Sequence, residues 1–168
     1  MPAVVNSGPL IVLAKPNHLH LLAHLYGEVL VPQGVYDEVV VQGQPLGHAD
    51  AALIEQFLVR EGWLPTAVSE FGQLVLESRH LGRGEREAIF LASERQVPLL
   101  ADDSRARRIG REMGLETVGS LGVLVAAYRG GFLAAETLDE LLLAIDTHDD
   151  IWIDSGLCRR VRHEVLDR

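Results

Sequence analysis

Short apolar runs alternate with helical stretches along this chain, and that alternation limits the possible folds more than any other feature of the sequence. The runs are AVVN (3–6), EVLV (28–31), VPLLA (97–101) and ETV (116–118). Runs of this composition and length, bounded by turn residues, are typical of buried parallel strands. The stretches predicted to be helical are 10–26, 32–40, 50–61, 70–81, 84–95, 103–114, 120–131 and 134–145. Strands separated by helices predict an α/β fold, a three-layer α/β/α sandwich with a mainly parallel central sheet.

Length and composition favour one domain. A chain of 168 residues that is 48% hydrophobic is large enough to enclose a single core. We expect this domain to cover 1–153 and a helical C-terminal tail to cover 154–168. No run approaches the roughly 18 apolar residues of a membrane span, the N-terminus lacks a secretion signal, and Cys158 has no second cysteine to pair with. The sequence therefore predicts a cytoplasmic protein with no membrane partner.

Arginine supplies nearly all the positive charge of this acidic chain. The net charge of −9 argues against a protein that binds nucleic acid over its whole surface. Of the 15 lysines and arginines all but Lys15 are arginine, and many fall in SRARRIGRE (104–112) and CRRVRHEV (158–165). Arginine donates two parallel hydrogen bonds to a phosphate, but a solvated helix face is the commoner explanation for any single arginine. Both explanations stay open for each cluster.

Polar residues follow three of the predicted strands. The first strand ends at Asn6, the second leads into the helix that carries Glu38, and the third ends at Asp102 and Asp103. Ligands of open α/β sheets bind outside the carboxyl ends of the strands. We therefore expect these side chains to meet at one edge of the sheet. Asp37 and Glu38 are neighbours, and the pattern leaves open which of the two is solvated.

Glu85 is a further candidate because of its place on a helix. Ala88, Ile89 and Ala92 lie three, four and seven residues after it, so its carboxylate falls on the apolar face of the predicted helix. An acid in the first helical turn is also stabilised by the helix dipole without any chemical role. The sequence leaves both explanations open.

The adjacent acids Asp102 and Asp103 also have two explanations. One aspartate is accounted for by capping the helix that follows. Two carboxylates at the mouth of a strand repel each other, and a bound divalent cation relieves that repulsion. Oxygen ligands without cysteine suit Mg²⁺ or Mn²⁺ better than zinc. Such a cation indicates phosphodiester cleavage by a metal-activated water.

Five segments together resemble the PIN-domain proteins, and in particular a VapC-related group of predicted nucleic-acid-binding proteins. They are VVNSGPLIVLAK, GEVLVPQGVYDEVV, LGRGEREAIFLA, LLADDSRARRIGREMGL and VGSLGVLVAAYRGG. Their joint order and spacing carry the resemblance, which covers about residues 3–153. It implies a PIN-like parallel sheet flanked by helices, with an acidic cluster that binds Mg²⁺ or Mn²⁺ and cleaves RNA.

The resemblance also implies which residues form the site. The catalytic and metal-binding positions fall on Asn6, Glu38, Glu85 and Asp103, with Asp102 as a further metal ligand or a supporting neighbour. A small antitoxin protein and a second copy of the chain, giving a homodimer, are the protein partners that the resemblance implies.

RNA contacts are expected close to these acids. Ser7 follows the first site position, where it orients a ligand or a water, and it is one of the expected RNA-binding residues. The arginines expected to steer or hold the RNA backbone are Arg105, Arg107 and Arg108.

Asn6 departs from the aspartate of many PIN nucleases. An amide oxygen still coordinates a hard cation, but it brings no negative charge. Two functions therefore stay open. One is a metal-dependent endoribonuclease, as in a VapC-like toxin; the other is a catalytically weak or inactive PIN scaffold that binds RNA or a protein partner.

The sequence leaves three roles open for the C-terminal tail. It covers the site, contacts RNA through its arginines, or packs as a terminal helix. Its acidic residues either contribute to a metal site or are solvated. The arginines are Arg159, Arg160 and Arg162, and the acids are Asp149, Asp150 and Asp154.

Overall fold

A parallel sheet forms the centre of the molecule. The computed structural model describes residues 1–69, 80–147 and 153–166. Within these ranges a five-stranded sheet has the order β3-β2-β1-β4-β5, and every pairing between neighbours is parallel. The strands are β1 (Ala3–Val5), β2 (Val29–Pro32), β3 (Pro65–Thr66), β4 (Leu99–Leu100) and β5 (Thr117–Val118).

The predicted strands are present, and the edge strand β3 was missed. β1 lies between β2 and β4, with Val4 opposite both Leu30 and Leu99. All three residues of β1 are fully buried, as expected for a strand covered on both faces. The sequence Pro65–Thr66 contains no apolar run, so periodicity gives no strand signal there. A proline is tolerated in β3 because this strand lies at the edge of the sheet.

Helices cover the sheet. They are α1 (Ser7–Ala14), α2 (His20–Tyr26), α3 (Gln33–Tyr36), α4 (Ala49–Glu61), α5 (Arg83–Arg95), α6 (Ser104–Glu112), α7 (Ser120–Arg129), α8 (Ala135–Thr147) and α9 (Ser155–Leu166), as far as the described ranges extend. α7 contacts both α1 and α2, and α5 contacts both α3 and α6. These two groups of helices and the sheet make the predicted three-layer α/β/α sandwich, and that prediction is confirmed.

Two predicted helices differ in detail from the structure. The stretch 10–26 is divided between α1 and α2, because Pro16 has no backbone N–H and Asn17 adopts a left-handed conformation with φ 59°. The stretch 32–40 becomes α3 followed directly by a π-helical segment, Asp37–Val41. The helix predicted over 70–81 falls almost entirely outside the described residues.

The C-terminal helix α9 packs on the rest of the fold. It contacts α8 and α7, and it buries Cys158 to 2% exposure. Within residues 1–69, 80–147 and 153–166, no helix combines the length and the apolar character needed to span a membrane.

Candidate active site

One cleft lies at the carboxyl ends of the central strands. β1, β4 and β5 end at Val5, Leu100 and Val118, and the residues that follow each strand line the cleft. Its volume is about 930 Å³. The polar residues that the sequence singles out and that line it are Asn6, Ser7, Glu38, Glu85, Asp102, Asp103, Arg107 and Asp154. The structure therefore brings all five expected metal-binding side chains to one place.

Asn6 joins β1 to α1. It has an extended backbone at the N-cap of α1, and its Oδ1 accepts a hydrogen bond from the Ser7 N–H at 2.8 Å. Its own N–H donates to the Leu100 carbonyl at 2.8 Å, which holds it beside the end of β4. Only 5% of Asn6 is exposed, and it borders the cleft. The first strand therefore delivers a fixed amide to the site.

Glu38 reaches the cleft from the π-helical segment. Its Oε2 accepts a hydrogen bond from Ser7 Oγ at 2.5 Å. The preceding residue, Asp37, instead pairs with Arg83 at 2.9 Å. Of these two neighbouring acids, Glu38 is therefore the one at the site.

Glu85 fits both of its sequence-based explanations. It lies in the first turn of α5, where its Oε2 accepts the Gly82 N–H at 2.9 Å, and it also lines the cleft, half-buried. Burial raises the pKa of Glu85, the hydrogen bond from Gly82 opposes that rise, and the carboxylates of Asp103 and Glu38 raise the pKa further. Glu38, Glu85 and Asp103 therefore share one negative electrostatic environment.

Asp102 and Asp103 have different local roles. Asp103 caps α6, because its Oδ1 accepts the Ala106 N–H at 2.8 Å. Asp102 accepts two hydrogen bonds from Ser120, from the N–H at 2.7 Å and from Oγ at 2.6 Å. A Cβ on Gly8 would lie 2.9 Å from Asp102 Oδ2, so the backbone of α1 needs a glycine at this point. Asp102 thus links the end of β4 to the start of α7 and lies close against the start of α1.

The three candidate arginines lie in different surroundings. Arg107 lines the cleft, and its buried Nε has no hydrogen-bond partner among the described residues. Arg105 donates from Nη1 to the His80 carbonyl at 3.0 Å and lowers the pKa of Glu85. Arg108 is exposed and is not among the described residues that line the cleft. Arg107 is therefore the arginine best placed to meet a ligand.

Helix α9 forms one wall of the cleft. Ile153, Leu157 and Val161 line it with apolar side chains, and Asp154 accepts the Leu157 N–H at 2.8 Å at the start of the helix. The tail thus packs as a terminal helix beside the site. Asp149 and Asp150 lie outside the described residues, and Arg162 forms an ion pair with Asp139.

The donor atoms at the cleft suit a hard cation. They are carboxylate oxygens and one amide oxygen, the ligand types that Mg²⁺ and Mn²⁺ prefer. The rise in the Glu85 pKa caused by Asp103 and Glu38 is the repulsion that such a cation would relieve. In the part of the chain that the structure describes, no three His, Cys, Asp or Glu residues are close enough together to hold a metal ion. The residues fit the ion by chemistry, and the carboxylates would have to draw together around it.

One carboxylate is buried although the sequence pattern did not predict it. Glu87, on α5, is only 1% exposed. It accepts the Gly34 N–H at 2.6 Å and pairs with Arg83 Nε at 2.8 Å. The one available signal was the spacing of four residues between Arg83 and Glu87, which is typical of a helical ion pair. Gly34 is 53 residues away from Glu87, so the sequence pattern does not predict this contact.

Fold and cleft together define a class of protein, an α/β/α domain whose parallel sheet carries acidic side chains at its carboxyl edge. The chain belongs to the PIN-domain family: the family model DUF3368, described as a PIN domain, matches residues 2–166. The predicted family is therefore confirmed. PIN domains are generally nucleases, so the fold is of nuclease type and supports a hydrolase. No curated protein and no solved structure matches the chain.

Proposed function

We propose that this protein is a metal-dependent endoribonuclease that uses Mg²⁺ or Mn²⁺ to cleave RNA phosphodiesters. The observation that carries the proposal is the placement of Glu38, Glu85 and Asp103 around one cleft. These acids come from three separate elements, and two of them raise the pKa of the third. Negative charges that repel one another across a cleft are common at sites that bind a cation.

The acids of the cleft have different proposed roles in binding the cation. Glu38, Glu85 and Asp103 supply the negative charge, and Asn6 adds a neutral oxygen ligand. Asp102 acts as a support, since both of its oxygens are held by Ser120. A bound divalent ion would lower the pKa of a coordinated water and stabilise the leaving oxygen of the phosphodiester.

Arg107 and Ser7 are the proposed contacts for the RNA. The guanidinium of Arg107 packs against Gly119, where a Cβ would be 3.0 Å from Nη1, and both residues line the cleft. A guanidinium in this position suits a phosphate of the RNA backbone. Ser7 orients the Glu38 carboxylate through its hydroxyl. Arg105 and Arg108 would act only at the rim.

A second candidate function is a PIN scaffold that binds RNA or a protein partner with little or no catalysis. Asn6 favours it because it replaces a charged ligand with a neutral one. The hydrogen bonds that Ser7 donates to Glu38 and that Ser120 donates to Asp102 favour it too, because these carboxylate oxygens are already occupied. From the resemblance we also propose a toxin role, pairing with a small antitoxin, and a homodimer. From the composition we propose a cytoplasmic location.

Cleavage of an end-labelled RNA pool tests the proposed function. The purified protein, Glu85→Ala and Glu94→Ala are compared in Mn²⁺, in Mg²⁺ and in EDTA. Glu94 is the matched control because it is exposed on the same helix, α5. We expect cleavage that needs the metal, is lost in Glu85→Ala and is kept in Glu94→Ala.

Two other results would contradict an active nuclease. Equal cleavage by the purified protein and Glu85→Ala would point to a contaminant, and no cleavage by the purified protein in either metal would leave catalysis without support. RNA binding that persists in EDTA, together with either result, would favour the scaffold.

A further inference from the structure

The buried Glu87 connects α5, which carries Glu85, to α3, which leads directly into the segment that carries Glu38. From α5 its Oε2 accepts the N–H of Gly34, at the start of α3, at 2.6 Å. Its Oε1 accepts a hydrogen bond from Arg83 Nε at 2.8 Å. Arg83 also donates from Nη1 to Asp37 at 2.9 Å, at the beginning of the π-helical segment. Hydrogen bonds therefore join α5 once to α3 and once to the π-helical segment that holds Glu38.

A second contact runs between the same two elements in the opposite direction. The carboxylate of Glu38 lies against Gly84 of α5, where a Cβ would be 2.8 Å from Glu38 Oε1. Likewise, a Cβ on Gly34 would lie 2.9 Å from Glu87 Oε2. Cβ atoms essentially never approach other atoms within 3.0 Å, so neither position accepts a larger residue without movement. Each element thus places a glutamate against a glycine of the other.

This crossed arrangement places Glu38 against the residue next to Glu85. Gly84 directly precedes Glu85, so the contact that seats Glu38 also sets its position relative to Glu85. Glu87 is two residues further along α5 and is not among the described residues that line the cleft. Arg83 and Glu87 therefore do not line the cleft themselves, and their contacts with it run through the elements that carry Glu38 and Glu85.

We propose that Glu87 and Arg83 are positioning residues that hold the start of α5 against the segment carrying Glu38, so that Glu38 and Glu85 face the same part of the cleft, where a divalent cation would draw them together. This inference rests on the proposed function, since it assigns the two residues to the same candidate site. Residues that hydrogen-bond to metal ligands without touching the metal orient those ligands, and their mutation typically lowers metal affinity by about 10- to 100-fold. A purely structural role would instead lower the thermal stability and leave the affinity of the folded protein unchanged.

Mn²⁺ affinity is the measurement that separates these roles. Binding is followed by the electron paramagnetic resonance signal of free Mn²⁺, at a temperature where circular dichroism shows each variant to be folded. Glu87→Gln keeps an oxygen that accepts the Gly34 N–H, but its amide group no longer pairs with Arg83. We expect Glu87→Gln to weaken Mn²⁺ binding by about tenfold or more. Glu94→Gln, on the exposed face of the same helix, should bind as the unmodified chain does.

Arg83→Gln provides a second test if Glu87→Gln does not fold. The Arg83 side chain is half exposed, so its replacement opens no buried cavity, and circular dichroism again checks that the variant is folded. It removes the link to Asp37 and the link to Glu87 together, and we expect Mn²⁺ binding to weaken in the same direction. Arg83→Lys, which keeps the charge near Glu87, should restore part of the affinity.

The outcomes distinguish this inference from the proposed function. If the unmodified chain binds Mn²⁺ and either Gln variant, folded, binds it equally well, the positioning role is wrong and the proposed function stands. If the unmodified chain binds no Mn²⁺, the proposed metal site is wrong and the positioning role is overturned with it.

Discussion

Replacing Asp102 should destabilise the protein more than replacing its neighbour Asp103. Asp102 accepts hydrogen bonds from the N–H and the hydroxyl of Ser120, which is 0% exposed. Asp103 accepts one hydrogen bond, from the Ala106 N–H at the start of α6, and is itself exposed. The sequence alone does not show which of the two acids contributes more to stability, so the stability effects test the described geometry.

The expected losses follow from the hydrogen bonds that each substitution removes. Asp102→Ala leaves two buried groups of Ser120 without their acceptors, at a cost of about 2–4 kcal/mol if water from the cleft reaches them in part. Asp103→Ala removes a helix cap, which costs about 1 kcal/mol. For a chain of this length the corresponding falls in Tm are roughly 10 °C and roughly 3 °C. Asp102→Asn should fall between them, because its amide oxygen can still accept the Ser120 N–H.

Urea unfolding followed by circular dichroism, in EDTA so that no cation contributes, gives the free energy of unfolding of each variant. A loss for Asp102→Ala that is no larger than the loss for Asp103→Ala would refute the role assigned to the Ser120 hydrogen bonds.

Three further predictions concern other parts of the structure. The pKa of Glu85 is raised in the folded protein, so the folded protein loses stability as the pH rises and Glu85 ionises. We therefore expect Glu85→Gln to raise the Tm at neutral pH, and we expect this gain to vanish below the ordinary glutamate pKa. A gain in Tm that does not depend on pH would contradict this cause. Lys15→Met should cost about 2 kcal/mol, since it breaks a largely buried 3.0 Å ion pair with Asp50, and a double-mutant cycle with Asp50→Asn should show coupling rather than additivity. Burial raises the pKa of the Cys158 thiol, so a thiol reagent should modify it in urea far faster than in the folded protein; equal rates would contradict the packing of α9.

The sequence predicted the sheet well because each buried strand is a short apolar run. The same logic missed β3, since Pro65 and Thr66 pair with β2 through backbone atoms and carry no apolar pattern. Helix periodicity placed Ala88 and Ile89 correctly in the core. It could not show that the adjacent Glu87 is buried as well, because its acceptor role depends on Gly34, which is distant in sequence.

The candidate site was predictable in outline for a topological reason. Carboxyl ends of parallel strands share one edge of a sheet, so residues directly after β1 and β4 had to lie near each other. The detailed roles of Asp102 and Asp103 depend on which backbone groups lie within reach, and Ser120 is 18 residues away from Asp102. Periodicity and composition contain no information on such contacts, nor on the wall that α9 contributes.

The position of a divalent cation among Glu38, Glu85 and Asp103 is tested most directly by crystals soaked in Mn²⁺ and measured for anomalous scattering. We expect one peak in the cleft at about 2.1 Å from oxygens of these carboxylates. Asp102 should keep its hydrogen bonds to Ser120, and the peak should disappear in Glu85→Gln. No peak in the cleft, or a peak unchanged in that variant, would contradict a metal-dependent active site built on these residues.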